Sequence, residues 1–191
     1  MRDFFKGPVI FLLKPMTALN TLFLDRDGVL NHAVIRGSEI SSPRSMKEFQ
    51  LTDDIDALND IDIQKNWNLV VISNQPDLSR GRITLQLLQK FHSLIASRIM
   101  LNAVYLCPHL RKDDCGCRKP ACGLIQHFRE NYSLIGKELL IGDQMNDQGC
   151  AKAANIPFFL RCRPYNQELK ASSFAINHLN EINPLLKKEI L

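Results

Sequence analysis

The sequence predicts an α/β fold, a three-layer sandwich around a central parallel, Rossmann-like sheet, and three observations carry that expectation. Short continuous apolar runs alternate with stretches of helical period, the pattern of a parallel sheet covered on both faces. Polar clusters follow directly on three of those runs, where open α/β sheets bind ligands beyond the carboxyl ends of their strands. The chain has 191 residues, 45% hydrophobic and 23% charged, which suits one globular domain of ordinary size.

Taken in order, Leu22-Phe23-Leu24 reads as the first strand. Thr52 or Asp53 caps a helix whose apolar positions include Ile55, Leu58 and Ile61. Leu69-Val70-Val71-Ile72 has the unbroken, β-branched character of a buried strand. Thr84 begins a second helix with Leu85, Leu88, Phe91, Leu94, Ile95 and Ile99 on one face. Residues 104–106 read as a strand, 124–132 as a helix, 139–141 as a strand, 147–155 as a helix and 158–160 as a further strand. A weakly amphipathic tail covers residues 176–186.

Residues 1–20 read as an N-terminal extension of unassigned structure, and residues 21–191 as a single domain. The extension holds the apolar run Pro8-Val9-Ile10-Phe11-Leu12-Leu13 behind Arg2 and Lys6. That run is shorter than a signal peptide needs and lacks a small-residue cleavage site. No stretch approaches the roughly 20 apolar residues of a membrane span. The net charge of +4 is scattered, with no basic run and no basic-aromatic patch to suggest nucleic-acid binding. A modest positive balance suits attraction of phosphorylated metabolites. The expectation is a cytoplasmic monomer with a small phosphorylated substrate and neither a membrane nor a nucleic-acid partner.

The chemistry begins at Asp25-Arg26-Asp27-Gly28, on the turn leaving the first strand. Two carboxylates two residues apart can hold a hard divalent cation and present one oxygen as a nucleophile. Alone, such a motif is as readily a solvated strand end. Ser73-Asn74-Gln75 follows the second strand and Gly142-Asp143 a later one, so the topology should gather all three clusters at one sheet edge. An aspartate that attacks a phosphate needs its mutual repulsion cancelled, the phosphoryl oxygens neutralised and the leaving alkoxide protonated. Asp25 is placed to attack and to bind Mg²⁺, and Asp27 to donate and later accept the proton. Ser73 and Asn74 offer donors to phosphate oxygens, Lys119 a fixed positive charge, and Asp143 completes the metal site. Each piece has a bland alternative: a polar turn for 73–75, a loop lysine for Lys119, a helix N-terminus for Gly142-Asp143. Their common order and spacing weaken the bland readings jointly.

All six cysteines lie in the second half. Cys107-Pro108-His109 and Cys115-Gly116-Cys117 together supply a Cys₃His set, a structural zinc combination that leaves no open coordination position. The alternative is a disulfide plus a free thiol, which a reducing compartment disfavours. Cys122, Cys150 and Cys162 read as buried apolar residues, and His32, His92, His127 and His178 as surface or packed histidines.

Asp25-Arg26-Asp27-Gly28-Val29, Ser73-Asn74, Lys119, and Gly142-Asp143 with Asp147 resemble the motifs of haloacid dehalogenase-type phosphatases, over about residues 21 to 160. The resemblance implies that Asp25 is the nucleophile and Asp27 the general acid/base, and that Ser73 and Lys119 stabilise the phosphoryl group. It implies that Asp25, the backbone carbonyl of Asp27 and Asp143 hold Mg²⁺, and that the reaction passes through an aspartyl phosphate. The segment from Cys107 to Pro120 resembles a zinc-containing branch with minimal caps, which includes heptose 1,7-bisphosphate phosphatases and histidinol-phosphate phosphatases. There the zinc loop lies beside the substrate, and Arg118 would recognise the substrate's distal part. Asn31, Ser73-Asn74-Gln75 followed by Arg80-Gly81, and the stretch from Ser42 to Phe49 resemble the heptose enzymes, which implies substrate contacts at Asn74, Gln75, Arg80 and Arg118. The short loop from Leu110 to Asp114 resembles the histidinol enzymes. The departures are Gln144, Ala121-Cys122 and Pro76-Asp77. The expected reaction is Mg²⁺-dependent hydrolysis of the 7-phosphate of D-glycero-D-manno-heptose 1,7-bisphosphate, on the route to a bacterial surface polysaccharide. Histidinol phosphate is the alternative substrate, and an inactive zinc-braced binding protein a third reading.

Overall fold

The computed structural model describes residues 6–132, 136–172 and 174–187. Residues 1–5 of the N-terminal extension lie outside the described set. Among the described residues, seven strands form one sheet in the order β1-β6-β5-β2-β7-β8-β9: β1 (Val9–Leu12), β6 (Leu101–Cys107), β5 (Trp67–Asn74), β2 (Asn20–Leu24), β7 (Glu138–Gly142), β8 (Phe158–Arg161) and β9 (Phe174–Ile176). All neighbouring pairs are parallel except β1 against β6. The sheet is therefore mostly, not wholly, parallel. The sequence reading left residues 9–12 unassigned; here they close one edge, with Val9 opposite Leu106 and Leu12 opposite Ala103.

Strand alternation splits the core into two layers, because successive side chains point to opposite faces. Leu22 and Leu24 of β2, Leu69 and Val71 of β5, and Leu139 and Ile141 of β7 enter one layer. Phe23, Val70, Ile72 and Leu140 enter the other. The first layer is completed by α1 (Ile61–Asn66), α2 (Leu85–Arg98) and α5 (Ile182–Lys187), through residues such as Ile63, Leu88, Phe91, Ile95 and Ile182. The second is completed by α3 (Gly123–Asn131) and α4 (Met145–Ala154), through Leu124, Ile125, Phe128, Cys150 and Ala151. This is the expected three-layer sandwich.

Two local readings change. The helix expected from Thr52 or Asp53 through Ile61 is broken into a 3₁₀ turn over Ile55–Asn59 and then α1, because Asp60 is extended and its carboxylate accepts from the Asp62 amide at 2.9 Å. That contact starts a new helix. Thr84, by contrast, caps α2 as its sequence suggests, accepting from the Leu87 amide at 3.2 Å. A small hairpin, β3 (Val34–Arg36) and β4 (Glu39–Ser41), rises from the loop after β2. It is the minimal cap, and Glu39, Ile40 and Ser41 line the cavity beneath it.

Candidate active site

The carboxyl ends of β2, β5 and β7 lie side by side at the centre of the sheet, with β2 between the other two. Strand order changes direction here, and such a switch point leaves a crevice above the strand ends. A cavity of about 410 Å³ opens there, lined by Asp25, Asp27, Ser73, Asn74, Lys119 and Asp147 among others.

Asp25 leaves β2 with its amide bonded to the Ile141 carbonyl at 2.8 Å, which ties it to β7. Lys119 enters from the loop before α3 and is only 3% exposed. Its ammonium lies 2.8 Å from Asp25 Oδ1 and 2.5 Å from Asp147 Oδ1, and donates to the Ile72 carbonyl at 2.9 Å. Burial opposes the charge on Lys119, but Asp147 and Asp25 outweigh it and drive the pKa well above the usual lysine value, so the amine stays protonated. Asp147 Oδ2 accepts from the amides of Asp143 and Gln144 at 3.2 and 3.0 Å, closing the first turn of α4. Gly142 is required for that approach: a Cβ there would stand 2.3 Å from Asp147 Cβ.

Asp143 is fully buried. The hydroxyl of Tyr165 donates to its Oδ2 at 2.5 Å, and the Asn166 amide donates to its carbonyl at 2.7 Å. Its Oδ1 is buried and finds no hydrogen-bond partner among the described residues. Gly28, at φ +89°, lets the chain pass close by, since a Cβ there would meet Asp143 Oδ2 at 2.1 Å. Oxygens of Asp25, Asp143 and Asp147 all lie within 4.8 Å of one another. Burial, offset in part by Lys119 and reinforced by Asp147 and Asp27, pushes Asp25 up to about 6. Burial, then Asp25 and Asp147, pushes Asp143 well above the carboxylate range. Three buried carboxylates around one ammonium, one with an orphaned oxygen, are the donor set of a hard divalent cation such as Mg²⁺.

Asp27 faces a different environment. Arg26, fully buried, grips both its oxygens at 2.9 Å; Asn31 donates at 2.9 Å, Ser42 at 2.7 Å and Gln75 at 2.9 Å. Burial raises its pKa, but Arg26 and the bonds from Ser42, Asn31 and Gln75 win and hold it below the ordinary value.

Ser73, Lys119, Asp25, Asp27, Arg80 and Arg118 all line the cavity, as their sequence positions suggest. Two expected substrate contacts are otherwise engaged. Gln75 is completely buried, and its carboxamide donates to Asp27, Ser42 and Ser73. Asn74 reaches the cavity wall, but its carboxamide pairs with both the amide and the carbonyl of Lys119 at 3.0 Å. Both carboxamides are thus hydrogen-bonded within the protein, while Asn74 still lines the cavity. Sequence reasoning quoted Asp147 without assigning it a contact, and missed Arg26, Ser42, Tyr165 and Asn166. Tyr165 and Asn166 lie more than 20 residues beyond Asp143, in a loop with no recognisable motif.

The second cluster, Cys107, His109, Cys115 and Cys117, sits at the end of β6 and in the loop that follows. Cys107 Sγ lies 3.5 Å from His109 Nδ1 and 3.6 Å from Cys115 Sγ; Cys117 Sγ lies 3.2 Å from His109 Nδ1 and 3.7 Å from Cys115 Sγ. A tetrahedron with Zn–S bonds of about 2.3 Å has S···S edges of about 3.7 Å. The sulfurs are free and far beyond the roughly 2.05 Å of a disulfide, so four ligand atoms fit zinc. Cys150 and Cys162 are buried, as expected of apolar cysteines, while Cys122 is partly buried. His92 is buried on α2 against Phe11, with both ring nitrogens unpartnered among the described residues; burial depresses it to about 3, so it stays neutral.

Comparison with known proteins adds three findings. The family described as polynucleotide kinase 3 phosphatase matches residues 23–173. Among curated relatives, a probable D-glycero-D-manno-heptose-1,7-bisphosphate 7-phosphatase of Thermoplasma acidophilum is 27% identical over 78% of this chain and 94% of its own length. The D-glycero-beta-D-manno-heptose-1,7-bisphosphate 7-phosphatase of Escherichia coli is 27% identical over 88% of this chain and 94% of its own. Among solved structures, the D,D-heptose 1,7-bisphosphate phosphatase of B. bronchiseptica, complexed with magnesium and phosphate, superposes with a TM-score of 0.73 at 23% identity, over 87% of this chain and 97% of that one. No helix among the described residues is long and apolar enough to cross a membrane.

Proposed function

The chain belongs to the family described as polynucleotide kinase 3 phosphatase, with a haloacid dehalogenase-like fold, and from that premise we propose that it hydrolyses the 7-phosphate of D-glycero-D-manno-heptose 1,7-bisphosphate. The observation that carries the reading is the Lys119 ammonium held between Asp25 and Asp147, beside Asp143, at the mouth of the central strands. The names of the full-length relatives point to the sugar substrate.

In this reading Asp25 attacks phosphorus, the P–O ester bond breaks, and Asp27 gives its proton to the departing sugar oxygen. Asp27 then takes a proton from water, whose oxygen attacks the phosphorus of the Asp25 aspartyl phosphate and frees inorganic phosphate. Lys119 holds positive charge against the phosphoryl oxygens, and the Ser73 hydroxyl donates to one of them. Asp25, Asp143 and the Asp27 carbonyl would hold Mg²⁺, which neutralises the repulsion between carboxylate and phosphate. Asp147 keeps Lys119 in place. The Cys₃His cluster, if loaded with zinc, braces the loop that delivers Arg118 and Lys119 and does no chemistry.

The test is phosphate release from both anomers of heptose 1,7-bisphosphate, fructose 1,6-bisphosphate, histidinol phosphate and a 3′-phosphorylated oligonucleotide, the last because of the family's description. The expected preference is a heptose bisphosphate, abolished by Asp25→Asn. Activity that survives Asp25→Asn sinks the nucleophile, and a preference for histidinol phosphate or the oligonucleotide replaces the substrate.

A further inference from the structure

Three arginines meet at one carboxylate in the wall of the cavity. Asp77 is 5% exposed. It accepts from Arg44 Nε at 2.6 Å, Arg80 Nη1 at 3.1 Å and Arg82 Nη1 at 3.5 Å. The turn that carries it is self-closed: the Arg80 amide bonds the Pro76 carbonyl, and the Arg82 amide the Asp77 carbonyl. Arg44 arrives from the segment after the β3–β4 hairpin, where its own amide is fixed on Glu48 at 2.6 Å. Among the described residues, none of the three forms an ion pair with Asp25, Asp27, Asp147 or Glu39, the other acids that line the cavity.

A structural ion pair needs one guanidinium per carboxylate. Here three share one, which leaves two formal positive charges packed together at side-chain exposures of 29, 43 and 51%. Such crowding costs self-repulsion in the empty protein. It is repaid by an anion that accepts several guanidinium N–H groups at once, and a phosphoryl dianion matches both the charge and the fork geometry. A buried aspartate gathers the three, and all of them line the cavity.

We propose that Arg44, Arg80 and Arg82, gathered by Asp77, bind a second phosphoryl group of the substrate, the one that is not hydrolysed. This rests on the reading of Asp25 as the site of attack, and it assigns bisphosphate selectivity to a wall separate from the reacting atoms. Asp77 is a positioning residue in this scheme.

The experiment measures binding, not turnover, in the Asp25→Asn protein, by calorimetry with heptose 1,7-bisphosphate and with heptose 7-phosphate. The expected ratio favours the bisphosphate by about 10- to 100-fold, the worth of one or two charge-assisted contacts. In Asp25→Asn/Arg44→Met/Arg82→Met the ratio falls to within about threefold of unity. Arg82→Met alone, at a half-exposed position, lowers it partway, and circular dichroism verifies the fold of both. A ratio near one in the parent, or a ratio the arginine substitutions leave unchanged, overturns the proposal. Turnover by Asp25→Asn overturns the catalytic reading instead and leaves the binding ratio intact.

Discussion

Lys119→Met is the perturbation that joins stability to chemistry. The wild-type ammonium is 3% exposed and makes two ion pairs and one hydrogen bond, to Asp25, Asp147 and the Ile72 carbonyl. Methionine matches its length, so the cost is electrostatic and not a cavity. Removing one partner of a buried pair costs about 3–5 kcal/mol, because the other charge stays behind unpaired. In a chain of this size each kcal/mol moves Tm by about 2–4 °C, so the variant should melt about 6–20 °C below wild type in a chelator at pH 7. Urea unfolding supplies the free energy independently. Excess Mg²⁺ should restore more stability to the variant than to wild type, since the acidic cluster has lost its internal cation and binds an external one more tightly. Activity should fall about 10²- to 10³-fold, the loss typical of one preorganised charge or donor. A variant within about 1 kcal/mol of wild type without metal, or one with near-normal turnover, would refute the placement of Lys119 as the internal counter-ion of this site.

Three further outcomes follow. Tyr165→Phe removes the hydroxyl that donates to Asp143 Oδ2 and, with Asp143 the proposed Mg²⁺ ligand, should weaken Mg²⁺ about tenfold, as loss of a contact behind a ligand does; thermal-shift titration reads this without turnover, and an unchanged midpoint dismisses the contact. Purified protein should carry about one zinc per chain by elemental analysis, and a strong chelator or Cys115→Ser should lower Tm by several degrees; metal-free protein of full stability contradicts the Cys₃His reading. Asp54 accepts from Arg161 at 2.6 Å and from the Leu179 amide at 2.8 Å, tying the C-terminal segment to the first core layer. Burial raises the Asp54 pKa, but Leu179 and Arg161 prevail and lower it, so its stabilisation is complete above the ordinary carboxylate range and is lost as pH falls through its folded value. Asp54→Asn should therefore cost about 2 kcal/mol at pH 7, with the difference from wild type shrinking below about pH 4; a pH-independent difference would point to shape and not charge.

What the sequence made legible follows from which interactions are local. The buried strands announce themselves because both faces of β2, β5 and β7 are covered, so their central residues, 22–24, 69–72 and 139–141, are continuously apolar. Since those strands are parallel and adjacent, the polar residues that follow each must meet, and Asp25, Ser73 and Asp143 do lie at neighbouring strand ends. The Cys₃His cluster is visible because four ligands crowd a short stretch, residues 107–117. Strand β1 was not, since its residues alternate between half-buried and exposed and its pairing with β6 is a long-range event. The break at Asp60 was hidden because helical period continues across it while a side-chain cap resets the backbone. At Asn74 and Gln75, polarity after a strand signals a need for partners, and the structure supplies them within the protein, at Lys119 and Asp27. Tyr165 and Asn166 carry no signal at all, because their use depends on how β8 returns the chain to Asp143.

The proposed chemistry asks opposite behaviour of two carboxylates two residues apart, and their surroundings supply the means. Asp25 must be ionised to attack, yet burial beside Asp147 and Asp27 raises it to about 6, so its competence depends on positive charge arriving at the cluster it shares with Asp143. Asp27 must hold a proton at the first step and release it by the second. Its resting environment favours the ionised form, through Arg26 and three neutral donors, which suits the half-reaction in which it draws a proton from water. A phosphate dianion entering the cavity opposes that preference by direct repulsion, raising Asp27 toward the protonated state in which it can serve the leaving oxygen. One of its donors, Ser42, belongs to the segment that exits the β3–β4 hairpin, while Asn31 and Gln75 sit in the buried floor. The Ser42 hydroxyl thus joins the hairpin exit to the proton carrier, so its loss would raise the proton affinity of Asp27. In the proposed scheme, substrate charge and the Ser42 contact therefore both act on Asp27, and through it on proton transfer to the leaving group.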